Sequence, residues 1–380
     1  MDFQLSEEHL LIKRTVREFA EKEIGPRAEE MDENDQFPAD LFRRMAGLGL
    51  LGIPFAEAYG GGGGDTLSLL IAIEEIARVS GSLALILDAH TSLCCEPIYR
   101  FGSEAQKTKY LQPLALGEKI GAFGLTEPQA GSDASATRTT AVRMGDDWVI
   151  NGQKIFITNG AVADVIVITA RTGAGKGSQG ISSFIVEKGT PGFTVGRNEK
   201  KMGLHGSTTS QLFFENCHIP AENLLGRENE GFKQFLTTLD GGRLAISAMA
   251  IGLAQGAFER AAAYAQERVQ FDQPIARFEA IQWMIADMAT DIEAARLMVQ
   301  RAAWLKDRGQ PFTKEASMAK LFATEVSERA CYKAIQIHGG YGYIRDYAVE
   351  RMYRDQRLCA IGEGTNEIQR LVIAREILKT

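Results

Sequence analysis

At 380 residues the chain is too long for one ordinary core, and two or three domains are expected. Its 45% hydrophobic and 24% charged content is that of a soluble globular protein. A net charge of −7 argues against nucleic acid and against an anionic membrane surface as partners, and without a run of about 18 apolar residues no membrane-spanning helix is expected.

Residues 1–120 read as an N-terminal α-helical domain. The first ten residues, MDFQLSEEHL, are acidic and lack the apolar stretch of a signal peptide. Leu10, Leu11, Val16, Phe19 and Ala20 then recur near helical spacing after Ser6. Pro38 opens a second helix carrying Leu41, Met45 and Leu48, and Ser103 with Gln106 forms a capping box. The glycine run Gly60–Gly64 lacks the GxGxxG pattern and reads as a flexible connection rather than a phosphate loop.

Residues 121–228 turn to short β-branched and aromatic segments split by Gly, Asn or Pro, which predicts a small β-sandwich or barrel. Residues 229–380 return to Ala- and Leu-rich helices near 240–268, 277–308, 313–337 and 365–378, a four-helix bundle. The predicted fold class is therefore α+β, mainly α, in the order helical, β, helical. The five cysteines are odd in number and show no metal spacing, and the five histidines include no HExxH, so no metal site is expected and a reducing cytosol fits best.

Three segments carry candidate chemistry. GLTEPQAGSD at 124–133 offers the Thr126 and Ser132 hydroxyls among small residues and backbone N–H groups, a surface that lets a phosphate-bearing ligand come close. KIFITNG at 154–160 follows Asn151-Gly152, which reads as a hairpin turn between the strands WVI and KIFIT. Strand periodicity then puts Phe156 and Thr158 on one face, an apolar wall beside a hydroxyl. In IGEGTNEIQR at 361–370, Gly362 and Gly364 flank Glu363 just before a helix capped by Thr365, with Glu367 in its first turn. A carboxylate so projected is either a candidate general base or a solvated loop glutamate.

In this order and at these separations the three segments resemble the acyl-CoA dehydrogenase family, nearest its short-chain, butyryl-CoA dehydrogenase-like bacterial branch, over almost the whole chain. The resemblance implies an N-terminal helical domain, a middle β domain and a C-terminal helical bundle. It implies FAD as cofactor and α,β-dehydrogenation of a short acyl-CoA. In that reading Glu363 removes the α proton, flavin N5 takes the β hydride, and the electrons pass to electron-transfer flavoprotein. It also implies that the backbone N–H of Glu363 and a ribityl hydroxyl of FAD hold the thioester oxygen.

By the same resemblance Phe123, Leu125, Thr126 and Ser132 match the first FAD segment, Phe156 and Thr158 the second, and Thr365 and Glu367 further FAD contacts. Arg268, Gln336, Gly339 and Gly340 match positions that reach the FAD of a neighbouring subunit, which implies a homotetramer built from paired dimers. Ser132, Asp240, Arg243 and Gly364 match substrate-side positions. Asp240 and Arg243 are equally readable as an intrahelical ion pair, and Arg268 as a solvated helix end. In some branches the base lies around Gly242; here that position has no side chain, so Glu363 has no rival there.

Departures from the close relatives bear on the substrate. Gly362 stands where a tyrosine usually precedes the base, which predicts a wider acyl pocket. His205 replaces a usual arginine, and Asp272 and Glu279 a usual glycine and glutamine. Asp88 stands where a small or neutral residue is usual. It reads either as a surface helix charge or as a second acid at the acyl end, as in relatives acting on alicyclic acyl-CoAs. A short acyl-CoA is expected, with branched or cyclic groups open, in a bacterial cytoplasm. The alternatives are a cyclic acyl-CoA handled with Asp88 as an additional base, an oxygen-using flavin oxidase or monooxygenase on the same fold, and a non-catalytic flavoprotein partner.

Overall fold

The structure, a computed structural model, describes residues 4–175 and 177–379. Helix α1 (Glu7–Phe19) starts at Ser6, whose hydroxyl accepts the His9 N–H at 3.2 Å. Val16, Phe19 and Ala20 are buried, but Leu10 and Leu11 are exposed, so only the later part of the apolar stripe reaches the core. Helix α2 (Ala39–Gly47) follows Pro38, and Leu48 falls just past its end. The capping box of Ser103 and Gln106 is formed in both directions.

Helices α3 (Thr66–Ala77) and α4 (Gly81–Asp88) are apolar nearly all round and almost wholly buried, as expected of a central layer. A π-helical segment, Ala89–Cys95, continues α4. The glycine run is not a loose connection. The N–H groups of Gly61, Gly62, Gly63 and Gly64 bond the carbonyls of Ala56, Gly52, Phe55 and Ile53 in turn, so the segment folds back on residues 52–56. Glycine here permits close approach of two backbones, which sequence alone cannot separate from flexibility.

The middle region is one eight-stranded sheet: β1 (Gly121–Gly124), β2 (Thr140–Met144), β3 (Asp147–Thr158), β4 (Val165–Arg171), β5 (Ile181–Glu187), β6 (Phe193–Asn198), β7 (Thr209–Pro220) and β8 (Leu224–Leu225). Its order is β6-β7-β3-β2-β4-β5-β8, with β1 parallel to β4. The hairpin expected at Asn151-Gly152 is absent. Strand β3 runs straight through that dipeptide, and the turn lies earlier, between the paired Met144 and Asp147. Asn151 Oδ1 instead accepts the Asn216 N–H at 2.8 Å across a register shift, so the dipeptide makes a bulge and not a turn.

The C-terminal region holds α5 (Gly231–Glu267), α6 (Glu279–Asp307), α7 (Thr313–His338), a short α8 (Val349–Gln356) and α9 (Asn366–Leu378). Helix α5 begins about two turns before the expected start near residue 240 and continues through Gly241 and Gly242. The glycine pair does not break it because α5 is held on both sides, by α7 and by α3. Helix α8 is an element that the sequence reading lacked. The buried residues of α1–α4 and of α5–α8 belong to one contiguous core, so the two helical regions are packed as one body. A second core fills the sheet, and a third, including Phe123 and Phe235, joins the sheet to the helices.

Candidate active site

Glu363 sits between the end of a 3₁₀ turn (Arg357–Ala360) and α9. Its φ is 56°, in the left-handed region, and that of Gly364 is 92°. A non-glycine residue there is strained and persists only where its surroundings fix it. Gln369 Nε2 donates to Gly364 O at 2.9 Å and to Glu363 O at 3.3 Å, and Thr365 caps α9 through the Ile368 N–H at 3.4 Å. The turn aims the Glu363 carboxyl inward. Its Oε2 is buried although the residue as a whole is half-buried.

The carboxyl lands against Gly242 of α5. A Cβ there would stand 2.1 Å from Glu363 Oε2 and 2.8 Å from Leu93 Cδ2. Glycine in mid-helix is therefore the space that receives the carboxylate.

Asp88, at the end of α4, meets the same carboxyl. It is not the surface charge that one sequence reading allowed: it is fully buried and forms no salt bridge among the described residues. With both groups ionised, neither Asp88 oxygen nor Glu363 Oε2 has a hydrogen-bond partner among the described residues. A proton shared between the two carboxyls supplies one. Burial pushes Asp88 up to about 6, with the neighbouring Glu363 and Ser92 side chains opposing. Burial, then the Asp88 charge, push Glu363 well above the usual carboxylate range, while Lys320 and Arg243 pull the other way. Both shifts favour one proton held between the two carboxyls.

Of the two nearby cations, Arg243 is engaged elsewhere. Arg243, buried on α5, donates to Asp240 Oδ1 at 2.5 Å and Ser317 Oγ at 3.4 Å, and Asp240 Oδ2 accepts the Thr313 hydroxyl at 2.6 Å. Asp240 and Arg243 thus do form the intrahelical pair, extended to α7. A Cβ at Gly362 would meet Leu358 at ordinary contact distance, 3.6–3.9 Å.

The first two motif segments come together on the sheet. The Ile155 N–H bonds Thr126 O at 2.9 Å, which sets 124–133 along β3. Beneath them Lys154, fully buried, donates to Glu127 Oε1 at 2.7 Å, Leu125 O at 3.2 Å and Thr169 Oγ1 at 3.2 Å. Glu127 in turn accepts the Arg138 N–H at 2.7 Å and the Thr139 N–H at 3.2 Å. Sequence reasoning missed this buried pair; its signal was a lysine at an inward position of an apolar strand.

Strict alternation fails at Phe156. Its φ is 58° inside a register shift between Lys154 and Ile157, so a bulge and not the strand period sets its aim. The ring is 62% exposed, next to a half-buried Thr158. Leu125 and Thr126 are half-buried and Ser132 is exposed. Phe123 is buried and stacks on Phe235 of α5 at 4.1 Å, so its backbone is the part left for a ligand. An uncovered aromatic face beside hydroxyls and small-residue backbone fits the ring system and polar tail of a flavin.

The remaining candidates lie apart. Arg268 ends α5, with its guanidinium 5.3 Å from the Tyr341 ring centre. It lines an open cleft of about 460 Å³ together with His338, Gly339 and Gly340. Gln336, one turn earlier on α7, is exposed. Arg268 is 26 residues from Gly242, roughly 39 Å along the same helix, so this cleft and the Glu363 carboxyl are not one pocket of a single chain. Thr365 and exposed Glu367 stay with the Glu363 turn. His205 packs instead on Asp32, 3.0 Å from its Oδ1. Among the described residues no cluster could hold a metal ion, and no helix is long and apolar enough to cross a membrane.

Comparison with known proteins gives the family. The chain matches the acyl-CoA dehydrogenase N-terminal domain over residues 6–118, the middle domain over 122–217 and the C-terminal domain over 229–378. It is 52% identical to the short-chain specific acyl-CoA dehydrogenase of Clostridium acetobutylicum, covering 100% of both chains. Butyryl-CoA dehydrogenase from Megasphaera elsdenii superposes with a TM-score of 0.98 at 46% identity over 100% of both chains. A chain solved in work on the electron-transferring flavoprotein of Acidaminococcus fermentans gives 0.99 at 50% identity, again over 100% of both. With a buried carboxyl aimed at a helix glycine and an uncovered aromatic ring on the sheet, the chain belongs to the acyl-CoA dehydrogenase family of FAD-dependent oxidoreductases.

Proposed function

We propose that the chain dehydrogenates a short acyl-CoA to its trans-2-enoyl-CoA, with Glu363 as the base that takes the α proton. The observation that carries this is the Glu363 carboxyl itself, buried, turned inward by a left-handed residue and seated on Gly242. Loss of the α proton alone leaves an enolate and loss of a β hydride alone leaves a cation; removing both together avoids either full charge. FAD, when bound, supplies the acceptor for the β hydride.

The chain's residues do the rest. Phe156, Thr158, Leu125, Thr126, Ser132 and the backbone of Phe123 would hold the flavin, with Thr365 and Glu367 as further contacts beside the Glu363 turn. Burial keeps water from the Glu363 carboxyl and raises its affinity for a proton toward the working pH. The Glu363 N–H donates to the thioester oxygen, where charge grows as the α proton leaves. Asp240, Arg243 and Gly364 border the acyl chain.

The distance of the Arg268 cleft from Glu363 supports a role for Arg268, Gln336, Gly339 and Gly340 at the FAD of a neighbouring subunit, and hence a homotetramer of paired dimers. Electron-transfer flavoprotein is the proposed electron acceptor, in keeping with the A. fermentans relative. Five free, buried cysteines are in keeping with a cytoplasmic setting.

Glu363→Gln keeps shape and removes basicity. Anaerobic bleaching of the flavin by butyryl-CoA should slow by ~10²–10⁴, the usual range for losing a positioned base, with FAD still bound. Bleaching near the parent rate would end the assignment.

One observation favours a second reading. Asp88 shares its buried site with Glu363, and Gly362 beside Glu363 in the chain carries no side chain, an arrangement suited to a branched or alicyclic acyl group with Asp88 as an additional base.

A further inference from the structure

Lys320 lies in the first third of α7, in the stretch ASMAKLFA, and is fully buried. Its Nζ donates to Gly364 O at 2.9 Å and to Asn366 Oδ1 at 3.0 Å. Thr324, one turn further on, donates to the same Asn366 oxygen at 3.1 Å. Together with Gln369, this network grips the turn that carries Glu363, where two successive residues adopt left-handed φ.

The hydrogen bonds alone do not explain a lysine. A buried ammonium is costly, and a neutral amide could bond the same carbonyl. What only a lysine adds is charge, and its surroundings give that charge a partner. The titratable groups facing Lys320 are Cys359, Glu363, Arg243 and Glu367. Those facing the Glu363 carboxyl are Asp88, Lys320 and Arg243. Arg243 already has Asp240 as a counter-ion at 2.5 Å, whereas no carboxylate lies within salt-bridge distance of Lys320 among the described residues.

We infer that Lys320 is a positioning residue for Glu363: it pins the left-handed turn through the Gly364 carbonyl and sets a buried positive charge beside the turn that aims the carboxyl. The inference rests on Glu363 being the base.

The test compares Lys320→Met, Lys320→Gln and Lys320→Arg as FAD-loaded protein. The rate of anaerobic bleaching by butyryl-CoA is followed against pH, and the carboxylic-acid band is titrated by infrared spectroscopy in the absence of substrate. Losing a nearby cation disfavours the carboxylate, so the rising limb of the profile and the infrared midpoint should both move to higher pH. For Met and Gln a move of about one pH unit is expected, with the rate at neutral pH about tenfold lower and KM close to the parent. Gln keeps a donor for Gly364 and isolates the charge. Arg keeps the charge, so its limb should stay in place. If Met does not yield folded protein, the Gln and Arg pair decides alone.

A parent-like limb and midpoint in Gln would overturn the inference and leave Lys320 a purely structural residue. So would an Arg variant that moves as far as Gln. If Glu363→Gln bleaches at the parent rate, the base assignment fails by itself, a result distinct from either of these.

Discussion

The Glu363 carboxyl occupies the place where a side chain on Gly242 would begin: a Cβ there would stand 2.1 Å from Oε2 and 3.0 Å from Cδ. A residue near the C-terminus and a helix position more than a hundred residues earlier thus define one space. Gly242→Ala tests that relation. Alanine is favoured over glycine in a helix interior by ~1 kcal/mol, so the fold should survive with little change in Tm. The methyl must displace Glu363 or Leu93, and misplacing a base by about 1 Å can cost ~10² in rate. Anaerobic bleaching by butyryl-CoA should fall by that order at unchanged flavin content; parent-like bleaching would show that the carboxyl lies elsewhere.

Asp88→Asn probes the shared proton. Burial moves Asp88 from an ordinary 3.8 to about 6 in the folded protein. Between those values the native chain holds more protons than the unfolded one, so stability is fully present below about pH 4 and declines as pH rises through about 6. Asparagine removes the titration and can donate to Glu363. The variant should be more stable than the parent near pH 7, by roughly 1–3 kcal/mol, with the advantage gone below about pH 4. Melting curves across that range decide it; a variant less stable at neutral pH would mean that Asp88 has a compensating partner.

Gly362→Tyr puts a ring next to the Glu363 turn. The nearest atoms to a Cβ there, of Leu358, stand at ordinary contact distance and φ is not in the left-handed region, so the backbone accepts the change. Turnover of branched or cyclic acyl-CoAs should drop at least ~10-fold more than that of butyryl-CoA, since a ring exceeds the single methylene worth ~1–3 kcal/mol. Rates with butyryl-CoA and cyclohexanecarboxyl-CoA give the ratio, and product analysis with Asp88→Asn shows whether Asp88 takes a proton from the cyclic substrate. An unchanged ratio and unchanged products leave plain butyryl-CoA chemistry.

Arg268→Ala should loosen FAD without unfolding the chain, because Arg268 lies beyond the last turn of α5 and contributes a contact over Tyr341 rather than core. If the cleft serves a neighbour's cofactor, flavin loss and subunit dissociation should be linked on dilution. Sedimentation read at the flavin absorbance measures both together. A fully flavinated monomer at every concentration would exclude the shared site.

Local rules made part of this molecule readable in advance. Ser103 and Thr365 cap the helices they were expected to cap, because capping depends on residues three apart. The order of helical, β and helical regions follows from hydrophobic period and β-branched content. Where the reading failed, a distant contact had outweighed a local preference. Asn151-Gly152 has the sequence of a turn, but pairing with β7 on one side and β2 on the other keeps β3 continuous.

The sequence by itself determined the family resemblance, the glycine-flanked carboxylate at 363 and the caps around it, since each depends on residues adjacent in the chain. Only the tertiary structure decided that Asp88 is a buried partner of Glu363 and not a surface charge, that Gly242 is the floor under the carboxyl, and that Lys320 grips the turn. Those residues lie on α4, α5 and α7, and nothing in their local patterns distinguishes them from ordinary helix positions. Their chemistry comes from burial and mutual distance, which exist only once the helices have packed.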